Sequence, residues 1–177
     1  MTRTTTTCLA VALAAALTAP AAMAANGTIT VEGEIKTSTC TVEPASQTID
    51  LKMGEVDVSA LPAGQRAGQQ IFDITLTCMA AATGTDVGVR FGSSSFDPVS
   101  KNMALTGAST ATNVTVGIWA ANGTHQPMGG GTTQWVPVPT TSTPVSLSYS
   151  AWYVAAAGAA ATAGTANADG EFFLVYR

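Results

Sequence analysis

The chain has 177 residues, a formal net charge of −4, and only 10% charged side chains against 46% hydrophobic ones. That length suits one domain behind a processing signal, and an acidic chain poor in basic residues argues against nucleic acid as a partner. Thr, Ser, Ala and Gly fill the gaps, the composition of a β-rich chain with a rather inert surface.

The first 24 positions carry the parts of a secretory signal. Arg3 supplies a short positive region, residues 9–17 an apolar run, and Ala22-Met23-Ala24 an A-x-A cleavage site. A membrane helix needs about 20 apolar residues, more than this run offers. Residues 1–24 are therefore read as a signal peptide, and Cys8, which precedes the apolar run, goes with it.

The next stretch, ANGTITVEGEI, alternates. Ile29, Val31 and Ile35 share one side with Gly27 and Gly33, while Thr28, Thr30, Glu32 and Glu34 share the other. This is a strand with one buried face, standing ahead of any local partner.

Cys40 and Cys78 are the cysteines that remain after processing. In an exported chain a disulfide is the default reading, worth about 4 kcal/mol in the loop-entropy account. A metal site would need further ligands, and none is near in sequence.

Alternation then recurs along the chain. QIFDITLTC sets Phe72, Ile74, Leu76 and Cys78 on one face, with Asp73, Thr75 and Thr77 opposite. TDVGVRF repeats the pattern with Val87, Val89 and Phe91, and NVTVGIW with Val114, Val116 and Ile118. PVSLSYSAWYV does so with Val145, Leu147, Tyr149, Ala151 and Tyr153, and GEFFLVYR with Phe172, Leu174 and Tyr176. Turn clusters separate these runs at 92–95, 122–123, 129–131 and 140–144. Many short strands without a helical period indicate an antiparallel β-sandwich. Residues 155–168 are alanine-rich, but Gly158 and Gly164 interrupt them and no apolar stripe forms, so a loop is expected.

Catalytic groupings are missing. His125 is the lone histidine and sits in a turn cluster without an acidic partner, so it reads as a surface residue rather than a base. Gly129-Gly130-Gly131 lacks the lysine of a phosphate loop, and the carboxylates form no cluster suggesting a glycosidase pair. Trp119, Trp135 and Trp152 could build a sugar platform, although burial is the commoner fate of tryptophan in a sandwich. No cofactor, metal or enzymatic activity is expected.

The two ends are the most informative part. A spare strand precedes Cys40, and the sequence finishes inside a strand at Tyr176-Arg177. With the order of GTITVEGEI, Cys40, FDITLTC, VGVRF, TNVTVGIW, SLSYSAWYV and GTANADGEFFLVYR, the chain resembles the chaperone–usher pilins of the type 1 fimbrial major-subunit family. The resemblance covers essentially all of the chain after the signal. Gly164 matches that family's glycine near the C-terminus, Tyr176 its penultimate tyrosine, and Gly27 the glycine of its N-terminal extension.

The resemblance implies an incomplete immunoglobulin-like sandwich that lacks its last strand and is completed by one donated from a neighbouring subunit. It implies a donor-strand extension at 25–35, with Gly27, Ile29, Val31 and Gly33 facing the recipient, and a pilin domain at 36–177. It further implies recognition of Gly164, Phe172, Leu174, Tyr176 and Arg177 by a periplasmic chaperone, then handover to an outer-membrane usher. The expected role is a structural subunit of a fimbrial rod supporting surface adhesion, polymerised with copies of itself and minor pilins outside the cell. A minor adaptor or terminator subunit, or a secreted carbohydrate-binding adhesin module, is the alternative.

Overall fold

A computed structural model describes residues 40–79 and 85–177. The segments expected to be a signal peptide, 1–24, and a donor strand, 25–35, with Gly27, Ile29, Val31 and Gly33, lie outside the described residues.

The described strands are β1 (Cys40–Val42), β2 (Arg66–Cys78), β3 (Asp86–Gly92), β4 (Val114–Ala120), β5 (His125–Gln126), β6 (Trp135–Pro137), β7 (Thr143–Ala155) and β8 (Glu171–Tyr176). Helix is confined to one turn, α1 (Pro44–Gln47), and a 3-10 turn at Val58–Ala60. The strands pair antiparallel into a five-stranded sheet, ordered β1-β2-β7-β4-β5, and a three-stranded sheet, ordered β6-β3-β8. This is a nearly all-β sandwich, as the alternating sequence pattern indicates.

Period-two alternation puts the apolar side chains of both sheets into one layer. Ile74, Leu76 and Cys78 from β2, Val87 and Val89 from β3, and Leu147 from β7 are wholly inaccessible, at 0% exposure. Burying each branched side chain is worth about 1.5–3 kcal/mol. Phe91 packs edge-on against Tyr149 with ring centroids 4.9 Å apart, and Phe72 lies 5.8 Å from the same ring. Cys40 and Cys78 stand opposite each other in the β1–β2 ladder and are joined by a disulfide.

The alanine-rich stretch is the loop its glycines foretell, with no helix between β7 and β8. It is tied down by residues 106–113: Thr110 and Ala111 N–H groups donate to the Thr165 carbonyl, Thr162 N–H to the Thr112 carbonyl, and Thr106 N–H to the Asn167 carbonyl.

Three expectations need correction. Full tryptophan burial does not hold, because Trp119, Trp135 and Trp152 are each only half-buried and none belongs to the core. Arg66 stacks over the first and last, and Arg177 over Trp135. His125 is not a turn residue: it forms β5 beside Trp119, half-buried, with its Nε2 2.8 Å from Asn102 Oδ1. Gly164, grouped by the resemblance with the C-terminal strand, lies outside β8 in the preceding loop.

Candidate strand-binding groove

Among the described residues, the two layers of the sandwich are not closed along one side. There β8 is the edge of its sheet: β3 pairs with one flank, and no described strand lies on the other. An edge strand of this kind presents a row of unused N–H and C=O groups.

The opposite wall is the segment 47–54, which follows α1. Its sequence, TIDLKM, alternates as a strand would: Ile49, Leu51 and Met53 are half-buried, while Asp50 and Lys52 are exposed. Yet the backbone of 49–53 makes no hydrogen bond among the described residues. The reason is position. This segment faces the groove instead of a neighbouring strand.

Between the two walls lies a cavity of about 1020 Å³. Phe72, Phe91, Met103, Val116, Ile118 and Tyr153 form its floor, and Phe172 and Ala168 its β8 side. A second cavity of about 330 Å³ continues from it, lined by Val56, Leu61, Val114, Ala161 and Gly164. The two share Gly54, Tyr153, Ala166 and Asn167, so they form one long slot. Charge sits on the rim: Lys52 pairs with Asp50 at 2.8 Å, where both are exposed and the pair contributes little, and the exposed Asp169 and Glu171 also line the cavity. An apolar floor between two backbone edges that no described strand pairs suits an extended peptide whose apolar residues recur every second position.

The C-terminal residues are placed by this geometry. Phe172, Leu174 and Tyr176 point inward from β8 against the core, as their alternation predicts, while Phe173 is 44% exposed. The Tyr176 hydroxyl receives the Cys40 N–H at 3.2 Å and donates to the Cys40 carbonyl at 3.3 Å. β8 is thereby tied across the sandwich to the disulfide. Arg177 exchanges both backbone hydrogen bonds with Asp86, and its Nε donates to the Asp86 carboxylate at 2.9 Å. Gly164 enters the second cavity and not the C-terminal strand.

The 47–54 wall was not among the residues singled out from sequence, and Phe72, Phe91, Val116, Ile118 and Tyr153 of the floor stood there as inward faces of strands and not as a groove. A signal was available, since Ile49, Leu51 and Met53 keep a strand period. What sequence lacks is the pairing that shows this strand-like segment to be unpartnered.

A model of the family described as fimbrial protein matches residues 29–177. The chain belongs to the fimbrial protein family. A type-1 fimbrial protein subunit of Serratia marcescens is 42% identical to this fimbrial protein over 66 residues, a stretch covering 37% of this chain and 37% of that one. Among solved structures, the P pilus rod subunit PapA superposes with a TM-score of 0.65 at 22% identity, covering 79% of this chain and all (100%) of PapA. A chaperone–usher pilus subunit, from a structure addressing rod uncoiling, gives a TM-score of 0.63 at 23% identity, covering 90% and 100% of the two chains. The immunoglobulin-like fold of this fimbrial protein is thus that of chaperone–usher pilus subunits.

Proposed function

We propose that the chain is a structural subunit of a fimbrial rod that polymerises by donor-strand exchange. One observation carries the reading: an apolar slot between two backbone walls that no described strand pairs, in a chain whose residues 25–35 alternate as a strand. In the polymer the segment 25–35 of one copy lies in the slot of the next. Ile29 and Val31 enter the apolar floor, Gly27 and Gly33 fit where no side chain is admitted, and Thr28, Thr30 and Glu32 face outward.

The energetics agree in kind. Two branched side chains contribute about 1.5–3 kcal/mol each, and each new ladder hydrogen bond about 1 kcal/mol. Completing a sandwich also removes an edge that would otherwise aggregate. Before polymerisation the same need is met by a strand lent from a periplasmic chaperone, which contacts the C-terminal strand through Phe172, Leu174, Tyr176 and Arg177. An outer-membrane usher then receives the complex. In this organisation residues 1–24 are removed on export, 25–35 donate, and 36–177 form the receiving domain of an extracellular fimbrium.

Deleting residues 25–32 tests the proposal. The truncated subunit is expected to accumulate with its chaperone at the wild-type level and to form no fibres, because it accepts a strand and cannot give one. Loss of chaperone complex and fibres together would assign the segment to its own domain and overturn the reading.

A further inference from the structure

The chain has six methionines, and setting aside Met1 and Met23 in the segment 1–24 leaves four. The fold gives each a different access to solvent. Met128 is 2% exposed and Met103 8%, both within the core. Met103 is further enclosed: its backbone exchanges hydrogen bonds with Val116, and a Cβ added at Gly170 would meet its Sδ at 2.7 Å. Met79 is the opposite extreme, 69% exposed just beyond β2 and not part of the groove lining.

Met53 is the intermediate case, and it stands in the groove. It ends the alternating run Ile49, Leu51, Met53 on the 47–54 wall. Its side chain is half-buried, packs against the core and lines the cavity of about 1020 Å³. Lys52 and Gly54 on either side of it are exposed, and no described strand lies against this wall. The thioether is therefore within reach of a small solute from the groove side. A strand laid in the groove is what would cover it.

That placement matters because a thioether is open to two-electron oxidation. A hydroperoxide is small and uncharged, so an apolar slot admits it. A lone pair of the Met53 sulfur attacks one peroxide oxygen, forming an S–O bond as the O–O bond breaks. The hydroxide released takes the proton from the sulfur-bound oxygen and leaves as water. Sulfur loses two electrons and the peroxide gains them. The product is a polar, chiral sulfoxide in place of a flexible apolar group. At Met79 water solvates the new oxygen whatever the state of the groove. On the groove wall an incoming apolar strand must strip that water away, and a polar group buried without a partner weakens the association.

We propose that Met53 is a hydroperoxide-oxidation site, open until a strand covers it, and that its sulfoxide keeps a donated strand out of the groove. The proposal rests on the donor-strand reading and adds a chemical control over which subunits can be completed. A subunit oxidised at Met53 between export and capture is refused by chaperone and neighbour alike. A subunit oxidised only at Met79 passes.

The test grows cells secreting the wild-type chain, Met53→Leu or Met79→Leu, with and without sublethal hydrogen peroxide. Fibres, chaperone complex and uncomplexed subunit are collected, their yields measured, and their sulfoxides located by mass spectrometry. In the wild type the fraction of Met53 sulfoxide is expected to be about tenfold lower in fibres than in uncomplexed subunit, within the range that an unpartnered buried polar group costs. Met79 sulfoxide should be equally frequent in both. Peroxide should lower the fibre yield of the wild type and of Met79→Leu, and leave that of Met53→Leu unchanged. Exchange of methionine for leucine conserves volume, and each chain is scored against its own untreated culture. Met53 sulfoxide as frequent in fibres as Met79 sulfoxide would overturn the proposal. So would equal peroxide losses in wild type and Met53→Leu, or a Met53 that stays reduced where Met79 is fully oxidised. Absence of fibres from untreated wild-type cells would overturn the polymer itself, an outcome distinct from all of these.

Discussion

At the scale of single residues, one missing methyl group shapes the far end of the groove. Gly164 has φ +155, and a Cβ there would meet the Ala111 backbone nitrogen at 2.4 Å. That closeness lets hydroxyls on the two segments serve each other's backbones: Thr112 N–H donates to Thr162 Oγ1 at 2.8 Å, Thr165 N–H to Thr110 Oγ1 at 2.9 Å, and Asn167 N–H to Ser109 Oγ at 2.9 Å. Gly164→Ala is expected to cost about 1–3 kcal/mol, combining an unfavourable φ with a backbone clash, read as a lower denaturant midpoint of the subunit. His125 supplies a pH dependence. Burial, and secondarily the charge of Arg66, hold its pKa below the ordinary 6.5. The folded state therefore favours the neutral ring, and the stability this contributes is present above about pH 6.5 and lost as pH falls through the lower folded value. The thermal midpoint should fall in that range, and the component should vanish in His125→Gln. A midpoint equally pH-dependent in both proteins would refute the assignment.

At the scale of elements, β8 has two jobs. Its inner side completes the core through Phe172, Leu174 and Tyr176, and the edge that no described strand pairs forms one groove wall. Tyr176 joins the two, because its hydroxyl holds the main chain of Cys40 at the end of β1. Removing only that hydroxyl, in Tyr176→Phe, is expected to cost about 0.5–1.5 kcal/mol while leaving the ring in place. Tyr176→Ser also removes the ring and should lower the yield of chaperone complex. Comparing the pair by denaturant melts and by co-purification with the chaperone separates anchoring from packing. A Tyr176→Phe subunit as stable as the parent would mean that the hydroxyl anchors nothing.

At the scale of the whole molecule, the donor reading predicts a strict alternation of mutational effects. Ile29→Asp or Val31→Asp would place a carboxylate on the apolar floor, costing several kcal/mol or forcing protonation, so fibre assembly should fail while chaperone-bound subunit persists. Thr30→Asp lies on the outward side of the same strand and should assemble normally. Fibres of normal length from Ile29→Asp, counted beside chaperone-bound subunit, would sink the donor-strand reading.

Most of the fold was legible in the sequence because strand burial has period two. Ile74, Leu76 and Cys78, or Leu147, Tyr149 and Ala151, announce an inward face through local spacing alone, and the turn clusters between such runs separate the strands. The breaking of helix between β7 and β8 was equally local, a matter of Gly158 and Gly164 without an apolar stripe. The groove was not legible, although Ile49, Leu51 and Met53 keep a strand period. Their lack of a neighbour among the described strands is a property of pairing between residues far apart in the chain. The tryptophans fared likewise: Trp119 and Trp152 stand at outward positions of their strands, and only folding brings Arg66 across to cover them. By itself the sequence determined which side chains face inward and where strands end, since both follow from the backbone repeat. Tertiary structure alone decided which edge stays open and which aromatic faces are covered, because both depend on contacts that no local spacing encodes.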